Sequence, residues 1–244
     1  MAKLLVPKVV SYNGYTKRGY AKNGTKAFVP QGTRLPRGLK REEKWLSLRR
    51  LAEQSDFFIK PLSNRNKRIR LLLNKYGIET EKIVQELGGG KALFGREGIS
   101  LSSFQGKKLF RTRPEMYLDK ITGVMAKMLL LEITHGHPHP GNFAITPSGK
   151  VIVLDLGLAQ MGQAEKIRQK ARSADTGSAK RAMKDVHTFV DKFAIYYCRT
   201  VWQREPTQKE FEAKSDEIYG HLIEKVKQIE GPLKEEIKRK TTIQ

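Results

Sequence analysis

The chain of 244 residues contains a single cysteine, Cys198. A lone thiol forms neither an internal disulfide nor a thiolate zinc site, so the fold rests on packing rather than on covalent or metal staples. Long apolar runs are also missing. The longest, about Met128 to Leu131, falls far short of the roughly 20 residues that span a bilayer. The opening residues, Met1-Ala2-Lys3-Leu4-Leu5-Val6-Pro7-Lys8, are interrupted by lysine and proline before a signal-peptide core forms, which predicts a cytoplasmic chain with no transmembrane segment. Acidic residues are scarce: 25 Asp and Glu face 47 Lys and Arg, a net charge of +22. With 39% hydrophobic residues, including 8 Tyr, 10 Phe and 2 Trp, the chain is too apolar to stay disordered. A mean hydropathy of −0.53 is too polar for a membrane protein.

The positive charge is uneven. Residues 1–75 hold 19 basic and 4 acidic side chains, so +15 of the +22 sits in the first third. A region that repels itself this strongly fits an anionic partner such as RNA or a ribonucleoprotein. Tyr12, Tyr15 and Tyr20 lie among these charges and offer rings for base stacking. A solvated charged face is the plain alternative.

Asn13-Gly14 and Asn23-Gly24 are type I′ turn pairs and predict short β-hairpins over the first 35 residues. Leu39, Trp45, Leu46, Leu48 and Leu51 follow a helical stripe across Gly38–Gln54. Phe57–Ile59 and Lys82–Leu87 suggest strands, Arg68–Tyr76 a helix or strand, and Gly88-Gly89-Gly90 a hinge or linker. Beyond it the pattern turns mainly helical. Thr112-Arg-Pro-Glu115 has capping-box spacing, and Tyr117, Ile121, Val124, Met125, Met128 and Leu131 then recur every three or four residues up to Gly136. Strands are expected at Phe143–Thr146 and Val151–Leu154. Helices are expected at Ala179–Tyr197 and at Glu210–Glu230, the latter ended by Gly231-Pro232, and Gly162–Lys180 reads as a mobile loop.

The chemistry concentrates in His135-Gly-His137-Pro-His139-Pro-Gly-Asn142, followed thirteen residues later by Asp155-Leu-Gly157. A two-residue turn at Ser148-Gly149 would place Thr146 opposite Val151, Ile145 opposite Ile152 and Asn142 opposite Asp155. An amide oxygen and a carboxylate opposed at the open end of one hairpin can share a hard cation such as Mg²⁺, which takes one or two protein oxygens plus phosphates. Strand-end capping is the alternative for both residues. The alternation of His135, His137 and His139 also allows three imidazoles on one side of an extended segment, a transition-metal arrangement.

In order and spacing this stretch resembles the protein-kinase-like superfamily. There, a His-Arg-Asp loop is followed five residues on by Asn and then by Asp-Phe-Gly. His135-Gly136 stands where the loop begins, Asn142 lies five residues beyond position 137, and Asp155-Leu156-Gly157 is similar to the metal-binding triplet. The His-Gly-x-x-His-Pro-Gly-Asn wording is nearest to the atypical RIO-type and UbiB-like kinases and the aminoglycoside phosphotransferases. The resemblance implies an α+β, two-lobed kinase-like fold: a reduced, basic, β-rich N-lobe over 1–90 and a helical C-lobe over 91–244. It implies ATP and Mg²⁺ as cofactors, with Asn142 and Asp155 on the metal. It also implies Lys26 on the phosphates, oriented by Glu42 or Glu43, and a hinge strand Ile83–Gly90 whose backbone around Glu86 and Leu87 meets adenine. The base position departs from the family, which has Asp where this chain has His137. Either the imidazole takes the hydroxyl proton, making the chain an ATP-dependent phosphotransferase or ATPase, or the chain is a nucleotide-binding pseudokinase. A non-enzymatic basic RNA-binding protein is the third reading, and the phosphoacceptor is left open by the residues.

Overall fold

The computed structural model describes residues 11–12, 15–17, 26–30, 57–95, 97–162 and 177–242. They form an α+β structure that divides into two compact units. The helix expected over 38–54 and most of the loop expected over 162–180 lie outside the described residues.

The first unit is an antiparallel six-stranded sheet. Its strands are β1 (Ser11–Tyr12), β2 (Tyr15–Lys17), β3 (Lys26–Pro30) and β4 (Phe57–Pro61). Helix α1 (Asn64–Lys75) and strand β5 (Glu79–Thr80) follow in the chain and group with the second unit, whereas β6 (Lys82–Gly88) and β7 (Lys91–Gly95) complete the first sheet in the order β1-β2-β3-β4-β7-β6. Tyr12 pairs with Tyr15, which leaves the two-residue connection expected of Asn13-Gly14. The glycines at 88–90 are not a linker. Gly88 pairs with Lys91, and Gly89 and Gly90 take φ of +56° and +66°, the positive pair that a type I′ hairpin turn requires. The chain passes between units at Asn64–Arg65, at Thr80–Glu81 and finally at Glu97–Gly98. Leu62, Ala92 and Phe94 form the small core of this unit, with Ile83 packed against it.

The second unit continues with β8 (Ile99–Ser100), α2 (Phe104–Thr112), α3 (Pro114–Leu130) and β9 (Ile133–Thr134). It is completed by β10 (Phe143–Ile145), β11 (Val151–Val153), β12 (Gln160–Met161), α4 (Gly177–Tyr197) and α5 (Gln208–Thr242). A four-stranded sheet runs β5-β11-β10-β8, parallel only between β5 and β11, and β9 pairs with β12. The apolar stripe of α3 is buried at Tyr117, Leu118, Ile121, Met125, Ala126 and Met128. It meets one face of the sheet through Phe143, Ile145, Val151 and Val153, together with Phe189 and Phe193 of α4 and Ile218 and Leu222 of α5. Ala144, Ile152 and Leu154 form a smaller cluster of their own. Every residue of β10 and β11 is therefore buried, which makes the hairpin a rigid mount.

Three expectations of local structure are overturned by tertiary context. The Thr112 hydroxyl donates to Leu109 O (2.7 Å) and so closes α2; α3 starts from Arg113 with Pro114 at its first position and no side-chain cap. Helix α3 then stops at Leu130, with Glu132 at φ +56°, well before Gly136. Gly231-Pro232 does not end α5, which runs on to Thr242: the Lys234–Glu230 and Lys240–Glu236 ion pairs (both 2.6 Å) tie successive turns, and Leu233, 3% exposed, is packed inward beside the proline. No described helix is long and apolar enough to cross a membrane.

Helix α2 is seated on β8 through Gly106. The Ser103 hydroxyl caps α2 by accepting from Gly106 N (3.0 Å) and donates to Ser100 O (2.6 Å). A β-carbon on Gly106 would lie 2.0 Å from Ser100 O. Gly106→Ala is therefore expected to lower stability by about 2–4 kcal/mol, since backbone must move to relieve the overlap. Urea unfolding checks this, and a loss below about 0.5 kcal/mol contradicts the tight seating.

Candidate active site

The residues after β9 form a loop built almost wholly on hydrogen bonds to backbone. Asp185, on the buried side of α4 and 3% exposed, accepts from His135 N (2.5 Å) and from Gly136 N (3.0 and 3.1 Å to its two oxygens). Gly136 has φ +85°, and a β-carbon there would stand 2.7 Å from Leu158 O, so both the conformation and the space call for glycine. The His135 ring is fully buried, and its Nε2 donates to Leu154 O (2.9 Å). This ties the start of the loop to the end of β11.

From His137 onward the chain folds onto itself. His139 N donates to His137 O (3.0 Å), Asn142 N to His139 O (2.8 Å), and Gly141 N to the His139 ring at Nδ1 (3.0 Å). Asn142 Nδ2 donates to His137 O (2.8 Å), while its backbone carbonyl accepts from Leu154 N (2.8 Å). Committing the amide nitrogen to His137 O leaves Asn142 Oδ1 as the group's acceptor oxygen. His137 is exposed and His139 half-buried; their rings meet edge to face with centroids 4.5 Å apart.

The hairpin register differs from the expected one by one residue. Phe143 pairs with Val153, Ala144 with Ile152 and Ile145 with Val151. The cause is the turn. Gly149 adopts φ +77°, and Thr146 N to Lys150 O (2.9 Å) closes a three-residue loop, Pro147-Ser148-Gly149, in place of Ser148-Gly149 alone. Asn142 thus faces Leu154 rather than Asp155. A one-residue slip would send Asp155 to the other face of a regular strand, but Asp155 leaves the strand in the left-handed region (φ +50°, ψ +58°) and opens a single 3₁₀ turn, Leu156–Leu158. The direction of its exposed carboxylate is set by that turn. Burial lowers the proton affinity of both His135 and His139, and the Asp155 charge opposes that shift at each ring.

The three histidines do not form one ligand set. His135 is sealed under the loop, and among the described residues no three of His, Cys, Asp and Glu converge as metal ligands. Asn142 and Asp155 each carry a hard oxygen, the donor type that Mg²⁺ takes, but the register does not place them directly opposite one another.

Of the remaining sequence candidates, Lys26 stands on β3 opposite Ile59, and Glu42 and Glu43 lie outside the described residues. Glu86, exposed, and Leu87 lie on β6, the edge strand of the first sheet. Sequence reasoning missed Lys60. This lysine ends the apolar run Phe57-Phe58-Ile59 and pairs with Glu81 at 2.7 Å, the glutamate side chain being only 5% exposed. A lysine closing a β-branched or aromatic strand was its available signal, obscured by the abundance of lysine in this chain.

No model of a known protein family matches the chain, and no curated protein matches it either.

The buried His135 ring makes a pH signature. Burial lowers its pKa from the usual value near 6.5 to about 4, against the opposing hydrogen bond to Leu154 O. The ring is neutral with its proton on Nε2, and among the described residues the buried Nδ1 has no hydrogen-bond partner for a second proton. The unfolded chain therefore takes up a proton first as pH falls below about 6.5, so stability present above that pH is lost progressively toward pH 4. Burial also raises the Asp185 pKa against its amide donors, which works with the opposite sign because the folded state then gains the proton first. Between pH 7.5 and 5, His135 is expected to remove about 2 kcal/mol of unfolding free energy. His135→Gln, whose amide can still donate to Leu154 O, is expected to lose that component. Equal pH slopes in the two proteins contradict the assignment.

Proposed function

We propose that the chain is an ATP-dependent phosphotransferase of protein-kinase-like, two-lobed type. The observation that carries this reading is the locked frame of the loop. Asp185 fixes the amides of His135 and Gly136, His135 fixes Leu154, and Asn142 fixes both His137 and Leu154. Loop and strand end are thereby held as one body, which carries the exposed His137 and Asp155 and the buried Asn142. Phosphoryl transfer depends mainly on positioning and charge stabilisation, which such a frame supplies.

In this reading Asn142 Oδ1 and the Asp155 carboxylate would hold Mg²⁺, whose charge would offset that of the nucleotide phosphates. The Lys60–Glu81 pair of the first unit is of the kind that kinases use to hold a phosphate-binding lysine, and it joins Lys26 as a candidate for that role. In this reading the adenine contact falls on the stretch around Glu86 and Leu87 of β6, the edge strand of its sheet. His137 occupies the base position. The acceptor hydroxyl oxygen forms the new bond to the γ-phosphorus, the bond from that phosphorus to the β-bridging oxygen breaks, ADP departs with the electron pair, and the hydroxyl proton passes to the His137 imidazole.

Mg-dependent conversion of ATP to ADP tests the reading. Asp155→Ala is expected to lower it by about a hundredfold or more, the scale of losing one fixed electrostatic contact. His137→Ala is expected to cost a similar factor, while His137→Asp retains turnover. Turnover unchanged in Asp155→Ala removes the metal site, and ATP binding without turnover in the native chain makes it a pseudokinase.

A further inference from the structure

Beside His137 lies a cavity of about 480 Å³ that belongs wholly to the second unit. Its wall is cationic. Lys107 of α2, Lys192 of α4 and Arg199 of the π-helical turn Cys198–Trp202 reach it from three elements, and among the described residues no Asp or Glu lines it. Arg199 is shared with Glu205 (Nε to Oε2, 2.9 Å), whereas Lys107 and Lys192 have no carboxylate partner among the described residues. A larger cavity of about 720 Å³ on the same unit provides a contrast: its lysines donate to Gly149 O, Tyr76 O and Glu79. Two uncompensated ammonium groups and a guanidinium around one small space are matched by a dianion rather than by a single carboxylate.

The occupant of position 137 agrees with this. A carboxylate there would face the same cavity and repel an anion, and an imidazole does not. The walls are also fixed. Arg111 Nε donates to Thr200 O (2.9 Å), the Tyr196 hydroxyl donates to Leu101 O (2.8 Å), and the His139 ring is held by Gly141 N. The volume is that of a small-molecule pocket and takes a phosphate ester or one phosphorylated side chain, not a helix or a duplex.

We propose that this cavity binds the acceptor and that the acceptor already carries a phosphate group: a phosphomonoester with a free hydroxyl, held by Lys107, Lys192 and Arg199 beside His137. The phosphate site stands on its own geometry. Its role as an acceptor site rests on the phosphotransferase reading above.

The probe is glycerol 3-phosphate, titrated while the imidazole carbon–proton resonances of His137 and His139 are followed by NMR, with glycerol as the uncharged control. Saturable shifts of both rings are expected with the phosphate ester and none with glycerol. Lys107→Glu and Lys192→Glu, both at exposed positions, are expected to weaken binding about tenfold or more while leaving the circular dichroism spectrum unchanged. Absence of shifts, equal shifts with glycerol, or unaltered affinity in both variants overturns the proposal. A phosphoserine peptide forms a second arm: tighter binding than the small ester assigns the phosphate to a protein acceptor, and equal or weaker binding assigns it to a small molecule. ATP turnover is measured on the same samples. Phosphate binding without turnover keeps the anion site and removes the phosphotransferase reading, whereas turnover without phosphate binding does the reverse.

Discussion

The carboxylate of Asp185 is the contact on which the geometry of the second unit's loop depends. It is buried in the packed side of α4 and accepts from two consecutive backbone amides, His135 and Gly136. Without it those amides would be desolvated and unsatisfied, at a cost of about 1–3 kcal/mol each. Burial raises the Asp185 pKa and the amides pull it back, so the interaction is a balance between desolvation and hydrogen bonding rather than a simple gain. What it secures is position. The loop is anchored to the helix layer, and through His135 Nε2 to Leu154, to the end of the buried hairpin as well.

The loop is held with little freedom and with local strain. Gly136 sits in the left-handed region against Leu158 O, and Asp155 adopts the same region without being a glycine, a conformation that costs of order 1–3 kcal/mol for such a residue. The surrounding packing sustains it: β10 and β11 are buried throughout, and Phe143, Phe189 and Phe193 stack behind them at centroid separations of 4.7–6.4 Å. Strain at an exposed carboxylate mounted on a rigid hairpin fits a group whose direction matters more than its comfort. The cationic cavity beside His137 extends the same logic, since its walls are tied to backbone carbonyls of neighbouring elements.

Much of this was legible in the residues. The period of Tyr117, Ile121, Met125 and Met128 specifies the buried face of α3, and the apolar runs at 143–146 and 151–154 specify the hairpin. The order His135, Asn142, Asp155 marks the loop on which the proposed phosphate chemistry rests. The register was not legible, because Ser148-Gly149 and Pro147-Ser148-Gly149 are both acceptable turns in sequence, and the choice between them rests on Gly149 taking a positive φ with Thr146 closing on Lys150. Likewise Thr112 looks like a helix cap until its hydroxyl is seen donating to Leu109 O. Pro232 looks like a helix end until Leu233 is seen packed inward.

By itself, then, the sequence determined the elements with strong periodicity, the excess of positive charge and the chemical inventory of the loop, all of which follow from composition and from spacing along a single strand or helix. Tertiary structure alone decided that Asp185, some fifty residues after His135, holds the loop, that Lys60 meets Glu81, and that Lys107, Lys192 and Arg199 surround one cavity. These contacts join residues far apart in the chain. Local propensity carries no information about such pairs, which form only once a shared core fixes the distance between the elements that bear them.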